Sequence, residues 1–285
     1  MGTLFTSLFT WLFGLLATLP LGVLHWLGTL LGFVTYLSPS YRRRLRANAA
    51  LAGYTSERVA FASALHAGKM ALELPFVWLH KGALPIKVEG WEHVQAAIAR
   101  GKGIIILTPH LGCFEVTARP VAEHAPITVL YRPPKQAWFR QLMEANRTKP
   151  NMPTAPANLA GVKLMLRALK RGEAIGLLPD QVPHAGEGVL APFFGKPAWT
   201  MTLPTRLVHS TGAVLVLVLG IRLPHGQGYI VRYSAFEGEL STDPTAAASQ
   251  ISAAMETLIR TCPEQYLWGY NRYKMPKATA VDKAA

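Results

Sequence analysis

Charge is missing from the first part of this chain. From Thr3 to Leu37 there is no Asp, Glu, Lys or Arg, and His25 is the only side chain there that titrates near neutral pH. A water-exposed segment does not tolerate such a run. A membrane anchor does, because a bilayer core needs about 20 apolar residues as a helix. Pro20 and Gly22 predict a kink, dividing an interfacial first part from a spanning second part. Arg42, Arg43, Arg44 and Arg46 follow at once, while no charged side chain precedes the run. The positive-inside rule then puts everything after residue 41 in the cytoplasm. A cleaved signal peptide would carry its positive charge ahead of the apolar run, so that reading is excluded.

Acids are scarce throughout. The chain has 285 residues, with 29 Lys+Arg against 16 Asp+Glu, a net charge of +13, and half of its residues are hydrophobic. That pairing argues against a nucleic-acid binder and for a protein at an anionic membrane surface, handling phosphorylated lipids and acidic partners. Cysteine is nearly absent, with only Cys113 and Cys262, which excludes a disulfide framework and points to a reducing compartment. The nine His and two Cys show no zinc-ligand spacing, and there is no phosphate-binding or dinucleotide-binding glycine fingerprint, so neither a metal nor a cofactor is expected. No G-x-S-x-G occurs, so no serine nucleophile is presented. Repeats are absent, and no linker is long enough to divide the soluble part. The expected organisation is an anchor over 1–40, one domain over 41–277 and a disordered tail over 278–285.

What is present centres on the stretch 103–115, GIIILTPHLGCFE. Gly103 to Leu107 is an apolar run that reads as a buried strand. Thr108-Pro109 stops it, His110 stands at its carboxyl end, and Gly112 allows a turn towards a helix with Glu115 near its start. H-x4-E has two readings. One is a general base whose tautomer is fixed by the carboxylate. The other is a satisfied loop histidine beside a helix that prefers acids at its start. Cys113 reads as packing rather than as a nucleophile.

Strand signals recur at 86–89, 127–131, 174–178, 213–220 and 229–234, and helical periodicity fills most of the intervals. The expected fold is therefore α/β, a mostly parallel central sheet with helices on both faces, preceded by an N-terminal transmembrane helix. Stretches 182–188 and 193–195 read as loops. In such sheets ligands bind outside the carboxyl ends of the strands. His110, Arg132 and Asp180 each fall one to three residues past an expected strand end, with Gln181 beside the last. If those strands are parallel and adjacent, the three project onto one rim. The chemistry left is a base that deprotonates a substrate hydroxyl, which then attacks an activated acyl group directly. A cation such as Arg132 stabilises the oxyanion or holds a phosphate.

Taken in order, H-x4-E after a strand, YRP, LLPDQ, FFGKPA and PEQYLWGYNRYK resemble the late acyltransferases of lipid A synthesis, the lauroyl and myristoyl transferases of the bacterial inner membrane. The resemblance runs from the anchor to about Lys274. It implies transfer of an acyl chain from acyl-acyl carrier protein, an acidic partner, to a hydroxyl of a phosphorylated lipid A precursor. It implies His110 as base, Glu115 as its orienting acid, and Arg132, Asp180 and Gln181 at substrate-binding positions. It also implies a buried groove that measures acyl length. Two departures are visible: Lys135-Gln136 where many members have paired Asn, and Tyr270 where many have His. Two other functions stay open: acylation of another membrane acceptor (an amino-acid lipid, a glycolipid or a polyene), or a non-catalytic tethered protein binding lipid or carrier protein.

Overall fold

The apolar N-terminal run folds as two helices, not one. In the computed structural model, which describes residues 2–134 and 136–276, α1 is Gly2–Ala17 and α2 is Leu21–Tyr36. They part at the expected proline, because Pro20 has no N–H to continue the first helix and suits the entry to the second. Helix α3 (Pro39–Leu51) turns away from α2 by 98°. No single described helix is long and apolar enough to cross a membrane; only the bent pair of α2 and α3 passes by length and composition. Helix α4 (Glu57–Leu79) runs through Pro75 without ending there.

The remaining elements follow in the order β1 (Ile86–Glu89), α5 (Trp91–Ala99), β2 (Ile104–Leu107), α6 (Arg119–Ala122), β3 (Ile127–Tyr131), α7 (Ala137–Arg147), β4 (Thr154–Pro156), α8 (Leu159–Lys170), β5 (Ala174–Leu177), β6 (Gly188–Phe193), β7 (Lys196–Met201), α9 (Leu203–Thr211), β8 (Val214–Arg222), β9 (Tyr229–Ala235) and α10 (Pro244–Thr261). Seven strands form one sheet in the order β1-β9-β8-β2-β5-β3-β4. Within this sheet every ladder is parallel except β8–β9, so the architecture is α/β as the alternation predicts. The expected helix start at Asp243 is realised: its carboxylate accepts the Ala246 N–H at 2.7 Å.

The central strands are apolar on both faces because both faces are covered. Ile105 and Leu107 pack with Ile175, Leu215 and Met165 on one side. Ile104 and Ile106 pack with Ile127, Val129 and Val216 on the other. Each such side chain, fully buried, contributes roughly 1.5–3 kcal/mol. Between and beyond the expected loops 182–188 and 193–195 runs a two-stranded hairpin, β6–β7, whose turn at Phe194-Gly195 falls in the second of them. The tail over 278–285 lies outside the described residues.

Candidate active site

Strand order assembles the site. β2, β5 and β3 are neighbours and parallel, so the segments after Leu107, Leu177 and Tyr131 leave the sheet on one rim. His110, Asp180 and Arg132 come together there as the strand-end spacing predicts. Strand order also decides their pairing. Asp180 holds His110 at two points, accepting its backbone N–H at 2.8 Å on Oδ2 and meeting its ring Nδ1 at 2.7 Å on Oδ1. Asp180 is 2% exposed. Burial alone would push its carboxyl up, but the His110 ring, the two hydrogen bonds from that residue and the charge of Arg272 hold it below the ordinary value. An ionised carboxylate only accepts, so Nδ1 carries a proton, and in the neutral imidazole the lone pair is on Nε2.

The expectation that Glu115 orients His110 is therefore corrected: the carboxylate on the imidazole is Asp180. Glu115 follows the sharp turn at Gly112 into a 3-10 turn, Phe114–Val116, and reaches a different partner. Both its oxygens meet the Arg147 guanidinium at 2.9 Å, and the Trp78 indole N–H donates to it at 3.1 Å. Arg147 and Trp78 were not legible as site residues; each looked like an ordinary helix position, and only the packing of α4 and α7 brings them here.

His110, Glu115, Arg147, Arg132 and Gln181 line one open cavity of about 250 Å³, with Phe114 and Leu178. Arg132 is exposed at its mouth. Beneath it, Phe114, Glu115 and Arg147 also border an apolar slot that runs under Ile106, Ile127, Val129 and Gly176, with about 20 Å³ of free space. The Cys113 thiol is buried, and burial pushes it well up, so it is not a ready nucleophile.

The residues after His110 are braced from below. Gly112 has φ +58, and a Cβ there would stand 2.1 Å from the Gly220 carbonyl oxygen, so only glycine fits. The late motif supplies the frame: Gly112 N–H donates to the Gln265 carbonyl at 3.0 Å and Leu267 N–H to the His110 carbonyl at 3.1 Å. Arg222 donates to the Gly112 carbonyl at 3.1 Å and is itself held by Glu73, with which it forms a two-point pair. Of the two departures noted in the sequence, Tyr270 accepts the Val182 N–H at 3.1 Å and steadies the segment after Gln181, whereas Lys135 lies outside the described residues.

Comparison with known proteins shows the family. The profile of a family described as bacterial lipid A biosynthesis acyltransferase matches residues 3–275. A lipid A biosynthesis palmitoleoyltransferase of Escherichia coli (strain K12) is 30% identical over 193 residues, covering 66% of this chain and 61% of that protein. A lipid A biosynthesis lauroyltransferase of the same strain is 28% identical over 190 residues, covering 66% and 61%. A lipid A biosynthesis acyltransferase of Haemophilus influenzae is 27% identical over 188 residues, covering 63% and 56%. The matched stretch thus spans about three fifths of the length of these curated relatives.

Proposed function

This chain belongs to the bacterial lipid A biosynthesis acyltransferase family, and from that premise we propose that it moves a fatty acyl chain from acyl-acyl carrier protein to a hydroxyl of a phosphorylated lipid A precursor at the bacterial inner membrane. The observation that carries the reading is the two-point hold of Asp180 on His110, which leaves Nε2 as a base on the wall of an open cavity.

In this reading the acceptor hydroxyl gives its proton to Nε2 as its oxygen attacks the thioester carbonyl. The imidazolium that forms is stabilised by Asp180. The tetrahedral oxyanion is stabilised by Arg147, a cation kept in place by Glu115. Collapse breaks the carbon–sulfur bond, and the departing thiolate takes the proton back from Nε2. No covalent enzyme intermediate forms. Glu115 is a member of the catalytic group through Arg147 rather than through the imidazole. Arg132, exposed at the mouth, and Gln181 on the wall take the phosphorylated or polar parts of the substrates. The acyl tail follows the apolar slot that Gly176, Ile127 and Val129 line, with Phe114 at its border with the open cavity. The +13 charge of the chain suits both an acidic carrier protein and a phosphorylated acceptor.

Mass spectrometry of lipids from a deletion strain tests this. Loss of one acyl chain from lipid A, restored by the wild-type gene and not by His110→Ala, is the expected result. An unchanged lipid A, with loss of acylation on an amino-acid lipid, glycolipid or polyene, would move the reading to that acceptor.

A further inference from the structure

The N-terminal helices carry an arrangement that acyl transfer does not use. Helix α2 lies against α4 with backbone close to backbone at three glycines. A Cβ on Gly28 would fall 2.5 Å from the Lys69 Cα, one on Gly32 2.4 Å from the Ala64 carbonyl oxygen, and one on Gly68 2.0 Å from the Gly28 carbonyl oxygen. The contact is also ionic. His25 of α2 meets Glu73 of α4 at 2.9 Å, and Glu73, fully buried, is the partner of Arg222 in β8. Pulling α2 away would leave this network short of a partner in an apolar setting, which is costly.

Helix α4 in turn belongs to the catalytic domain. Ser63 donates to the Tyr266 carbonyl at 2.6 Å, and Trp78 reaches Glu115. It carries Glu57, Arg58, Lys69 and Glu73, so it is no membrane-crossing helix. A helix locked along α4 cannot thread a bilayer without dragging α4 and the sheet behind it into lipid. Length points the same way. α1 and α2 have 16 residues each, which at about 1.5 Å per residue is some 24 Å, short of a hydrocarbon core of about 30 Å.

Among the described side chains, the exposed faces of both helices are mostly apolar. On α2 these are Val23, Trp26, Leu30, Phe33 and Val34, at helical spacing, with Trp26 62% exposed and Leu37 just past the helix end; on α1, Trp11 is 64% exposed within a run from Leu8 to Leu15. The stripe ends where the chain bends by 98° into α3, and there Pro39, Arg42, Arg43 and Arg46 line a cleft of about 310 Å³.

We infer that α1 and α2 form a one-sided embedding surface for anionic phospholipid, so that the protein is monotopic: both helices sit in the cytoplasmic leaflet, with the α3 arginines at headgroup level. This replaces the expected single span and does not depend on which acceptor is acylated.

Protease access to tags on the full chain tests it. A cleavable tag placed at each terminus should be cut in inverted inner-membrane vesicles and spared in intact spheroplasts. An amino-terminal tag cut only in spheroplasts would establish a span and overturn the inference. A second measurement uses purified full-length protein and vesicles. Trp26→Asp with Val34→Asp should abolish co-sedimentation with phosphatidylglycerol vesicles while the thermal melt by circular dichroism stays near wild type. Replacing Arg42, Arg43 and Arg46 by Gln should weaken binding to those vesicles roughly fivefold per arginine, and leave binding to phosphatidylcholine unchanged. Retained sedimentation of the double Asp variant, or loss equal on both lipids for the Gln variant, would refute the embedding face or its anionic preference.

Discussion

Replacing Asp180 by Asn removes a charge from the imidazole while keeping the shape of the side chain. A hydrogen bond to a charged group contributes about 1.5–3 kcal/mol. In the resting site that term is shared between the backbone N–H and the ring, and it strengthens when Nε2 gains a proton. Loss of the charge from the transition state should therefore slow turnover about 10- to 150-fold. Removing the base itself, in His110→Ala, should cost roughly 10²–10⁴-fold. Because Asp180 acts through His110, the two effects should not multiply: Asp180→Asn in a His110→Ala background should subtract little more. The assay is transfer of a radiolabelled acyl chain from acyl-acyl carrier protein to a lipid A precursor in mixed micelles, with initial rates normalised to folded protein. Near wild-type turnover in Asp180→Asn, or a full multiplicative loss in the double variant, would refute the assignment of Asp180 as the orienting carboxylate. Glu115→Gln separates the alternatives. It should destabilise the fold by about 3–5 kcal/mol through the unpaired, largely buried Arg147, in contrast to a pure effect on the base.

Three further outcomes are expected. Arg132→Ala should raise KM for the phosphorylated substrate more than it lowers kcat, and Arg132→Lys should rescue poorly because a point charge does not reproduce a planar fork; unchanged steady-state constants would remove Arg132 from the site. Gly176→Val should shift the preferred acyl chain shorter while the protein still folds, since the nearest atoms to a Cβ there are Val129 and Ile127 side chains at 3.6 Å and beyond; an unchanged chain-length profile in competition assays would place the tail elsewhere. Stability should fall as the pH drops below about 6.5. Burial, then the charges of Arg222 and Lys69, hold His66 down to about 3, and its Nδ1 faces the Arg222 guanidinium at 3.0 Å, so it is neutral in the fold. The unfolded chain binds that proton first, and the stabilisation present above the unfolded value is lost between about 6.5 and 3. Melting temperatures measured from pH 8 to 5 should decline in the wild type and less steeply in His66→Asn; parallel slopes would contradict the buried neutral state.

The local pattern of the sequence determined a good deal here. A continuous apolar run as short and as rich in Val as 213–220 reads as a strand covered on both faces, and alternation with amphipathic stretches favours a sheet that is parallel over most of its width. The residue after a strand must leave the sheet at its carboxyl edge, so the rim holding His110, Asp180 and Arg132 was legible. Pro20 marked the break in the apolar run for an equally local reason, its missing N–H. The β6–β7 hairpin was not legible: it holds Pro192 and Pro197 opposite each other, residues that a covered strand excludes and a two-stranded ribbon with free edges tolerates. Tertiary structure alone decided partners distant along the chain. β5 lies beside β2, which sets Asp180 against the imidazole across 70 residues, while the turn at Gly112 carries the nearby Glu115 off to Arg147. The fate of the apolar run was settled in the same way. Hydrophobicity alone read as a membrane segment, but glycines meeting across α2 and α4, and a histidine on a buried carboxylate, hold it against α4. Neighbourhood in a fold depends on strand order and helix packing, and a pattern that repeats every two or every 3.6 residues carries no record of either.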